Sequence, residues 1–196
     1  HKTYLSSLAD KGSVATTIIS HELGGHNHEA DEEVKSLFGG LNLFSSPKPV
    51  RLIELLIQLA NVKADELVLD FFSGSGTTAE AVARRNLMDG GHRHFILVQL
   101  PERCGKDSVA AVNGYHTICD LGEERIRRAG AKVRAEVEKS NRQLKIGENP
   151  MPIPDMGFRV LRIDSSNFAD TYSTPQNYEQ NRLALFRDNL KGDRSE

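Results

Sequence analysis

Two cysteines in 196 residues are too few for a disulfide framework, so Cys104 and Cys119 read as reduced, packed thiols. No apolar run approaches the ~20 residues of a membrane span, and no signal-peptide pattern opens the chain. An excess of one charge is lacking too. The formal net charge of −2 exerts no global pull toward nucleic acid or a membrane surface, so nucleic-acid contact needs a local basic face or another segment. Internal repeats and low-complexity tracts are absent. So is the Gly-Lys-Ser/Thr that would complete a phosphate loop. These absences fit a cytoplasmic protein with no membrane partner. The composition, 38% hydrophobic and 27% charged, is that of a globular chain of one domain or slightly more. His1 and the charged run 191–196 read as cuts in a longer protein.

The most informative stretch is Leu67-Val68-Leu69-Asp70-Phe71-Phe72-Ser73-Gly74-Ser75-Gly76-Thr77-Thr78. It predicts a short apolar strand, an acid at its tip, a glycine-rich turn and the start of a helix. A small ligand lies against exposed backbone at such a place. Gly74 and Gly76 permit positive φ and close approach, because neither carries a Cβ. Thr77 and Thr78 open the helix, where unpaired N–H groups point outward. Asp70 argues against a site built purely for phosphate. Gly74-Ser75-Gly76-Thr77-Thr78-Ala79 also fits a dinucleotide fingerprint. That fingerprint wants an acid about 20 residues on, whereas the next strand ends on Gln99.

Around this motif the patterning alternates helix and strand, which predicts a parallel α/β sheet with crossovers. A strand at 15–19 and a short helix over 30–37, with Val34, Leu37 and Phe38 inward, precede it. Pro47-Lys48-Pro49 opens a helix to Ala60 that is apolar nearly all round, hence expected to be buried. Strand 67–71, helix 77–85, strand 94–99 and a charged helix over 117–138 follow. In that last helix Ile118, Leu121, Arg125, Ile126 and Ala129 mark one side, and Gly122 and Gly130 weaken it by about 1 kcal/mol each. Residues 147–155 predict a linker, 158–164 a half-buried strand by period two, and 175–190 a polar helix.

The wording of the glycine turn resembles the S-adenosylmethionine motif D-x-F-x-G-S-G-T-T of amino-DNA methyltransferases. Phe44-Ser45-Ser46-Pro47-Lys48-Pro49-Val50-Arg51-Leu52-Ile53 is similar to the segment that precedes that motif in the family. Phe95–Glu102 resembles its second-strand motif. Residues 117–129 and 155–160 look like the modification subunit of type III restriction–modification systems. Together these phrases span about residues 35–170. The resemblance implies a Rossmann-like S-adenosylmethionine-dependent methyltransferase sheet of the α/β class, incomplete here, with an extra C-terminal α/β segment. It divides the chain into 1–46, the tail of an upstream target-recognition or linker region; 47–146, the cofactor-binding subdomain; and 147–196, a C-terminal extension of linker, strand and helix.

The activity implied is methylation of adenine N6 in DNA, with DNA bound mainly by an upstream region, a homodimeric assembly and a restriction subunit as further partner. The family's catalytic Asp/Asn/Ser-Pro-Pro-Tyr/Phe precedes the cofactor motif, and this chain contains no Pro-Pro dipeptide. The chain thus reads as a cofactor-binding portion, inactive alone, with no catalytic residue of its own. Alternatives are an assembly module, cytosine-N4 chemistry, or an NAD-binding oxidoreductase.

By resemblance, Asp70 would sit near the methionine amino group, and Phe72, Ser73, Gly74, Ser75, Gly76 and Thr77 would line the methionine moiety. Lys48 and Pro49 would close the other side, although Lys48 equally fits a surface lysine at a helix start. Gln99 stands where the family has an acid for the ribose hydroxyls, and Glu102 offers a substitute. Phe95 reads as core. His21, His26 and His28, beside Glu22 and Glu29, have metal-ligand side chains, yet no cysteine joins them and the glycines favour a polar loop, so no metal is expected. Arg125, Arg127, Arg128, Lys132 and Arg134 interleave with glutamates, which predicts a solvated face rather than a phosphate-binding one.

Overall fold

A computed structural model describes residues 18–145 and 147–165. The chain divides into two units, His1–Phe158 and Arg159–Glu196, and every element below lies in the first. Its first described elements are one turn, α1 (His21–Gly24), and the helix α2 (Asn27–Leu37). These helices replace the polar loop expected around the histidines. His26 is the reason α2 starts before Ala30: it stands at the N-cap, and its Nδ1 accepts the Glu29 N–H at 3.4 Å. Val34 and Phe38 are buried, with Leu37 half-buried beside them.

Helix α3 (Val50–Leu59) follows Pro49, whose fixed φ of −62° suits the N-cap. Its expected burial on all sides is corrected. Only Val50 and Ile57 are buried, while Leu56 and Leu59 remain 44% and 47% exposed. The cause is the thinness of the sheet. Strands β1 (Leu67–Asp70) and β2 (His94–Leu97) form a parallel pair, with Leu67 opposite His94 and Asp70 opposite Leu97. Among the described residues the sheet has these two strands, which offer cover for one stripe of a helix. Val68 and Phe95 face inward and pack on Val50, Ile57, Ala81 and Val82, which bears out Phe95 as core. Leu67, Leu69 and Ile96 face outward and are exposed.

Between the strands runs α4 (Thr77–Asp89), capped at its end by Gly90 in the left-handed conformation. It extends past the expected Arg85 because its last turn carries an anchor. Arg93, buried just before β2, reaches back to Asp89 through Nη1 at 2.9 Å and Nη2 at 2.8 Å. Its Nε and Nη2 also donate to the Val62 carbonyl, each at 3.1 Å. The guanidinium thus ties the helix end, the entry to β1 and the entry to β2 together. Hydrogen bonding from Arg93 holds the Asp89 carboxyl below its ordinary range.

After β2 come the single turn α5 (Val109–Val112) and the long helix α6 (Ile118–Arg142). Thr117 caps α6 in a reciprocal box: its hydroxyl accepts the Asp120 N–H at 3.2 Å, and Asp120 accepts the Thr117 N–H at 2.8 Å. The predicted stripe holds, and α6 buries Leu121, Arg125, Ile126, Ala129, Val133 and Val137. Residues 148–155 are irregular, as a linker should be. The strand expected over 158–164 does not form, because these residues pair with no strand among those described. Residues 15–17 of the first predicted strand and the helix at 175–190 lie outside the described residues, and Ile18 and Ile19 are irregular. No described helix is long and apolar enough to cross a membrane.

The cap makes a measurable demand. Replacing Thr117 by Ala leaves the Asp120 N–H without its side-chain acceptor at the head of α6 and should cost about 1 kcal/mol in urea unfolding at pH 7. Burial pushes the Asp120 carboxyl up, but hydrogen bonds from Thr117 and His116 outweigh it and leave the group below its usual range. A depressed carboxyl stabilises above its unfolded pKa of about 3.9 and loses that contribution as pH falls further. Asp120→Ala should therefore flatten the stability profile of the chain below about pH 4. An unchanged unfolding midpoint in Thr117→Ala would show that packing alone starts the helix.

Candidate functional site

The turn between β1 and α4 is held from three sides. On the sheet side, the Ser73 N–H donates to the Val98 carbonyl at 3.2 Å, and the Gly74 N–H donates to Gln99 Oε1 at 2.8 Å. Asp70 closes the strand tip: Oδ1 accepts the Phe72 N–H at 3.2 Å and Oδ2 accepts the Thr78 hydroxyl at 2.6 Å. On the side of residues 44–49, the Thr77 hydroxyl donates to the Lys48 carbonyl at 3.2 Å. The Phe44 ring lies over Gly74, where a Cβ would come within 3.4 Å of it.

The third side is α6, and here glycine is required. Gly74 and Gly76 have φ of +50° and +76°. A Cβ on Gly76 would stand 3.2 Å from the Ile126 Cγ1 and 3.3 Å from the Gly122 carbonyl oxygen. One on Gly122 would stand 3.3 Å from the Gly74 carbonyl oxygen. Gly122 costs α6 helix propensity, but it lets the helix backbone touch the turn backbone.

Behind the turn lies a buried ionic group. Arg125 is 1% exposed. Its Nη1 donates to Ser75 Oγ at 3.1 Å and to Thr77 Oγ1, and its Nη2 donates to Glu80 Oε2 at 3.3 Å. Glu80, itself buried, also accepts from Arg84 at 2.9 Å. Burial pulls the Arg125 pKa down, against the opposing fields of Glu80 and Glu33. The expectation of a solvated basic face is thereby corrected for Arg125. Its position on the apolar stripe four residues after Leu121 was the available signal.

The predicted site residues are thus brought together unevenly. Asp70, Ser73, Gly74 and Gln99 meet at the turn through the bonds above, and the Gly76 N–H donates to the Ser73 carbonyl at 2.8 Å. The Ser75 and Thr77 hydroxyls point back toward Arg125. Phe72 is 78% exposed beside Phe71, the ring centroids 5.1 Å apart. Lys48 reaches the turn by its carbonyl, with its side chain exposed, and Pro49 is buried. Glu102 is exposed and connects by backbone alone: its carbonyl accepts the Ile118 N–H at 2.9 Å. Phe44, which packs on the turn, is a further contact residue that the motif reading passed over as a ligand of the site.

Chemically the turn offers two opposite invitations. The first N–H groups of α4 and the helix dipole suit an anionic or carbonyl oxygen. The Asp70 carboxylate suits a cation. A group bearing both signs, such as the head of an amino acid, matches this donor set, and a bare phosphate does not. A cavity of about 270 Å³ lies apart from the turn, lined by Glu33, Glu54, Glu80, Arg51, Arg84 and Lys132. Burial pushes the Glu33 and Glu54 carboxyls up there. Among the described residues no cluster of His, Cys, Asp and Glu has the arrangement of a metal site.

Residues 9–103 match the family model described as DNA methylase. The chain is 41% identical over 136 residues to the Mod subunit of the type III restriction–modification enzyme StyLTI of Salmonella typhimurium, covering 69% of this chain and 19% of that protein. It is 39% identical over 155 residues to the EcoPI Mod subunit of Escherichia phage P1, covering 76% of this chain and 23% of the relative. The type II methyltransferase M.KpnI of Klebsiella pneumoniae is 37% identical over 101 residues, 52% of this chain and 24% of that enzyme. The chain therefore spans 19% to 24% of the length of these curated relatives.

The backbone contact behind the turn can be isolated by comparing two glycines of like φ. Gly76→Ala must accept a left-handed residue and push on Ile126 and Gly122, whereas Gly90→Ala, at φ +69°, meets nothing within 4 Å. Each should lose about 1–2 kcal/mol to backbone strain. Gly76→Ala should lose measurably more in parallel urea titrations. Equal losses would mean that α6 does not press on the turn in solution.

Proposed function

We propose that this chain, which matches the DNA methylase family model over residues 9–103, is part of a DNA methyltransferase of the type III modification class and that its glycine turn binds S-adenosylmethionine. The observation that carries this reading is the pairing at one strand tip of Asp70 with an open, positive-φ backbone at the head of α4. Methionine's ammonium and carboxylate supply the two charges that this tip invites. In the proposal, Asp70 receives the ammonium, and the backbone of Phe72, Ser73, Gly74, Ser75, Gly76 and Thr77 lines the amino-acid moiety. Lys48 and Pro49 bound the pocket from the α3 side. Gln99 and Glu102 are the candidates for the ribose hydroxyls. The bound cofactor would supply an electrophilic methyl group. The chain's own part is to hold it in place, which is the proximity contribution to rate.

The two-stranded parallel sheet is read as part of a Rossmann-like methyltransferase sheet that is incomplete here. On the same reading, 1–46 is the tail of an upstream region, 47–146 the cofactor subdomain and 147–196 a C-terminal extension. The reaction proposed for the whole protein is transfer to adenine N6 in DNA in the cytoplasm, as a homodimer that also engages a restriction subunit. The chain holds no Pro-Pro tetrapeptide to accept hydrogen bonds from a flipped base, so it acts as the cofactor-holding part.

Calorimetric titration of the folded chain tests this directly. S-adenosylmethionine should bind saturably, Asp70→Asn should weaken it at least tenfold (~1.4 kcal/mol), and NAD should give no heat. Preference for NAD, or no binding of S-adenosylmethionine by a folded wild-type chain, would sink the reading.

A further inference from the structure

Arg125 is a buried cation that no step of cofactor binding uses. A guanidinium that is 1% exposed has lost its water, and a single carboxylate at 3.3 Å replaces only part of that solvation. Its Nε has no hydrogen-bond partner among the described residues. Its Nη1 serves the two hydroxyls of the glycine turn. Those hydroxyls form a chain that can be traced proton by proton. Ser75 Oγ lies 3.2 Å from Thr77 Oγ1, and Thr77 donates onward to the Lys48 carbonyl. Because the Lys48 carbonyl can only accept, Thr77 spends its one proton there, which leaves Ser75 as the donor in the contact between the two hydroxyls. Arg125 donates to both oxygens of this relay and so fixes their positions from behind. One cation clamps the middle of the turn, the head of α4 and the segment before α3 onto α6.

We propose that Arg125 is a positioning residue for the ligand turn: it fixes Ser75 and Thr77 from behind, so that the backbone N–H groups in front keep one orientation. The ligand side of this proposal rests on the S-adenosylmethionine reading, whereas the clamping of the turn does not. A purely structural ion pair would hold α4 to α6 through Glu80 and leave the turn indifferent. A positioning group changes the turn itself.

The double variant Arg125→Met/Glu80→Gln separates the two. It removes both buried charges together, so no lone ion remains to unfold the chain, yet it abolishes the grip on the hydroxyls. Two readouts apply, beside the melting temperature. The first is hydrogen exchange at the Gly74 and Gly76 amides, both hydrogen-bonded in the turn. The second is the affinity for S-adenosylmethionine. Exchange at those two amides should accelerate at least tenfold while the middle of α4 stays protected, and affinity should fall at least tenfold. Wild-type exchange at the turn together with wild-type affinity would overturn the proposal. If the wild-type chain itself fails to bind, the cofactor reading falls, and the exchange comparison alone decides the clamp. Should the double variant not fold, Thr77→Val puts the same question with the ion pair intact. It too must loosen the Gly74 and Gly76 amides, and unchanged exchange there refutes the clamp.

Discussion

The buried pair of Arg125 and Glu80 constrains more of this structure than any apolar contact does. Removing a guanidinium from water costs several kcal/mol, and well-packed hydrophobic residues of the same volume are often equal or better for stability. What an ion pair with hydroxyl partners adds is direction. Leu121, Ile126 and Ala129 would tolerate small rotations of α6 against its neighbours, because apolar packing is nondirectional. Arg125 tolerates none, since its fork must reach Glu80 on one side and Ser75 and Thr77 on the other. With α6 at that angle, a Cβ on Gly122 would stand 3.3 Å from the Gly74 carbonyl oxygen and one on Gly76 3.3 Å from the Gly122 carbonyl oxygen, so both places favour glycine.

The same geometry explains why the electrostatics are crowded on one side of α4. Glu80 takes hydrogen bonds from Arg125 and Arg84, and Arg84 comes within 3.5 Å of Glu136 on α6. Glu33 spends its carboxylate on the Val50 N–H at 3.0 Å, which satisfies a donor at the head of α3 that Pro49 has no side-chain oxygen to reach. Burial raises the Glu33 pKa, and the neighbouring negative charge of Glu80 adds to it. Carboxylates and guanidinium groups thus stitch α2, α3, α4 and α6 together where the apolar content is low. Two separate apolar clusters flank the stitching, one around Val34, Phe38 and Leu121, the other around Val50, Ile57 and Val82.

Much of this was readable in the residues. Strand, acid, glycine turn and helix over 67–85 follow from local signals, a short apolar run and glycines free to take positive φ, whereas the last turn to Asp89 rests on the anchor that Arg93 supplies from beyond the helix. The stripe on α6 was readable too, with Arg125 on it. That a charge on an apolar stripe is buried rather than snorkelling was not, because its partner Glu80 is 45 residues away in sequence. Single-chain patterning carries no information on such pairs. Two other expectations failed for a shared reason. The all-round apolar face of α3 and the alternation over 158–164 both encode burial against something. Within the described residues the sheet has two strands, so Leu56 and Leu59 stay exposed and 158–164 finds no ladder. Hydrophobicity announces that a surface wants cover; it does not say that the cover lies in the same stretch of chain.

Gln99 shows how a departure from a family pattern acquires a physical sense. Its Oε1 accepts the Gly74 N–H at 2.8 Å and its Nε2 donates to the Leu100 carbonyl at 3.3 Å. A carboxylate at this place would accept the first bond but lose the second, because it has no donor. It would also put a second negative charge at the strand tips where Asp70 already stands. The amide thus braces the turn from the sheet side as Arg125 does from the helix side. With one lone pair of Oε1 engaged, Gln99 keeps a single acceptor for a hydroxyl. On the proposed cofactor reading, the exposed carboxylate of Glu102, three residues on and joined to the head of α6 through its own carbonyl, would be the group with capacity to spare for a second. A ribose diol held by two residues instead of one carboxylate would couple ligand binding to the β2–α6 connection, and through α6 to the clamp behind the turn.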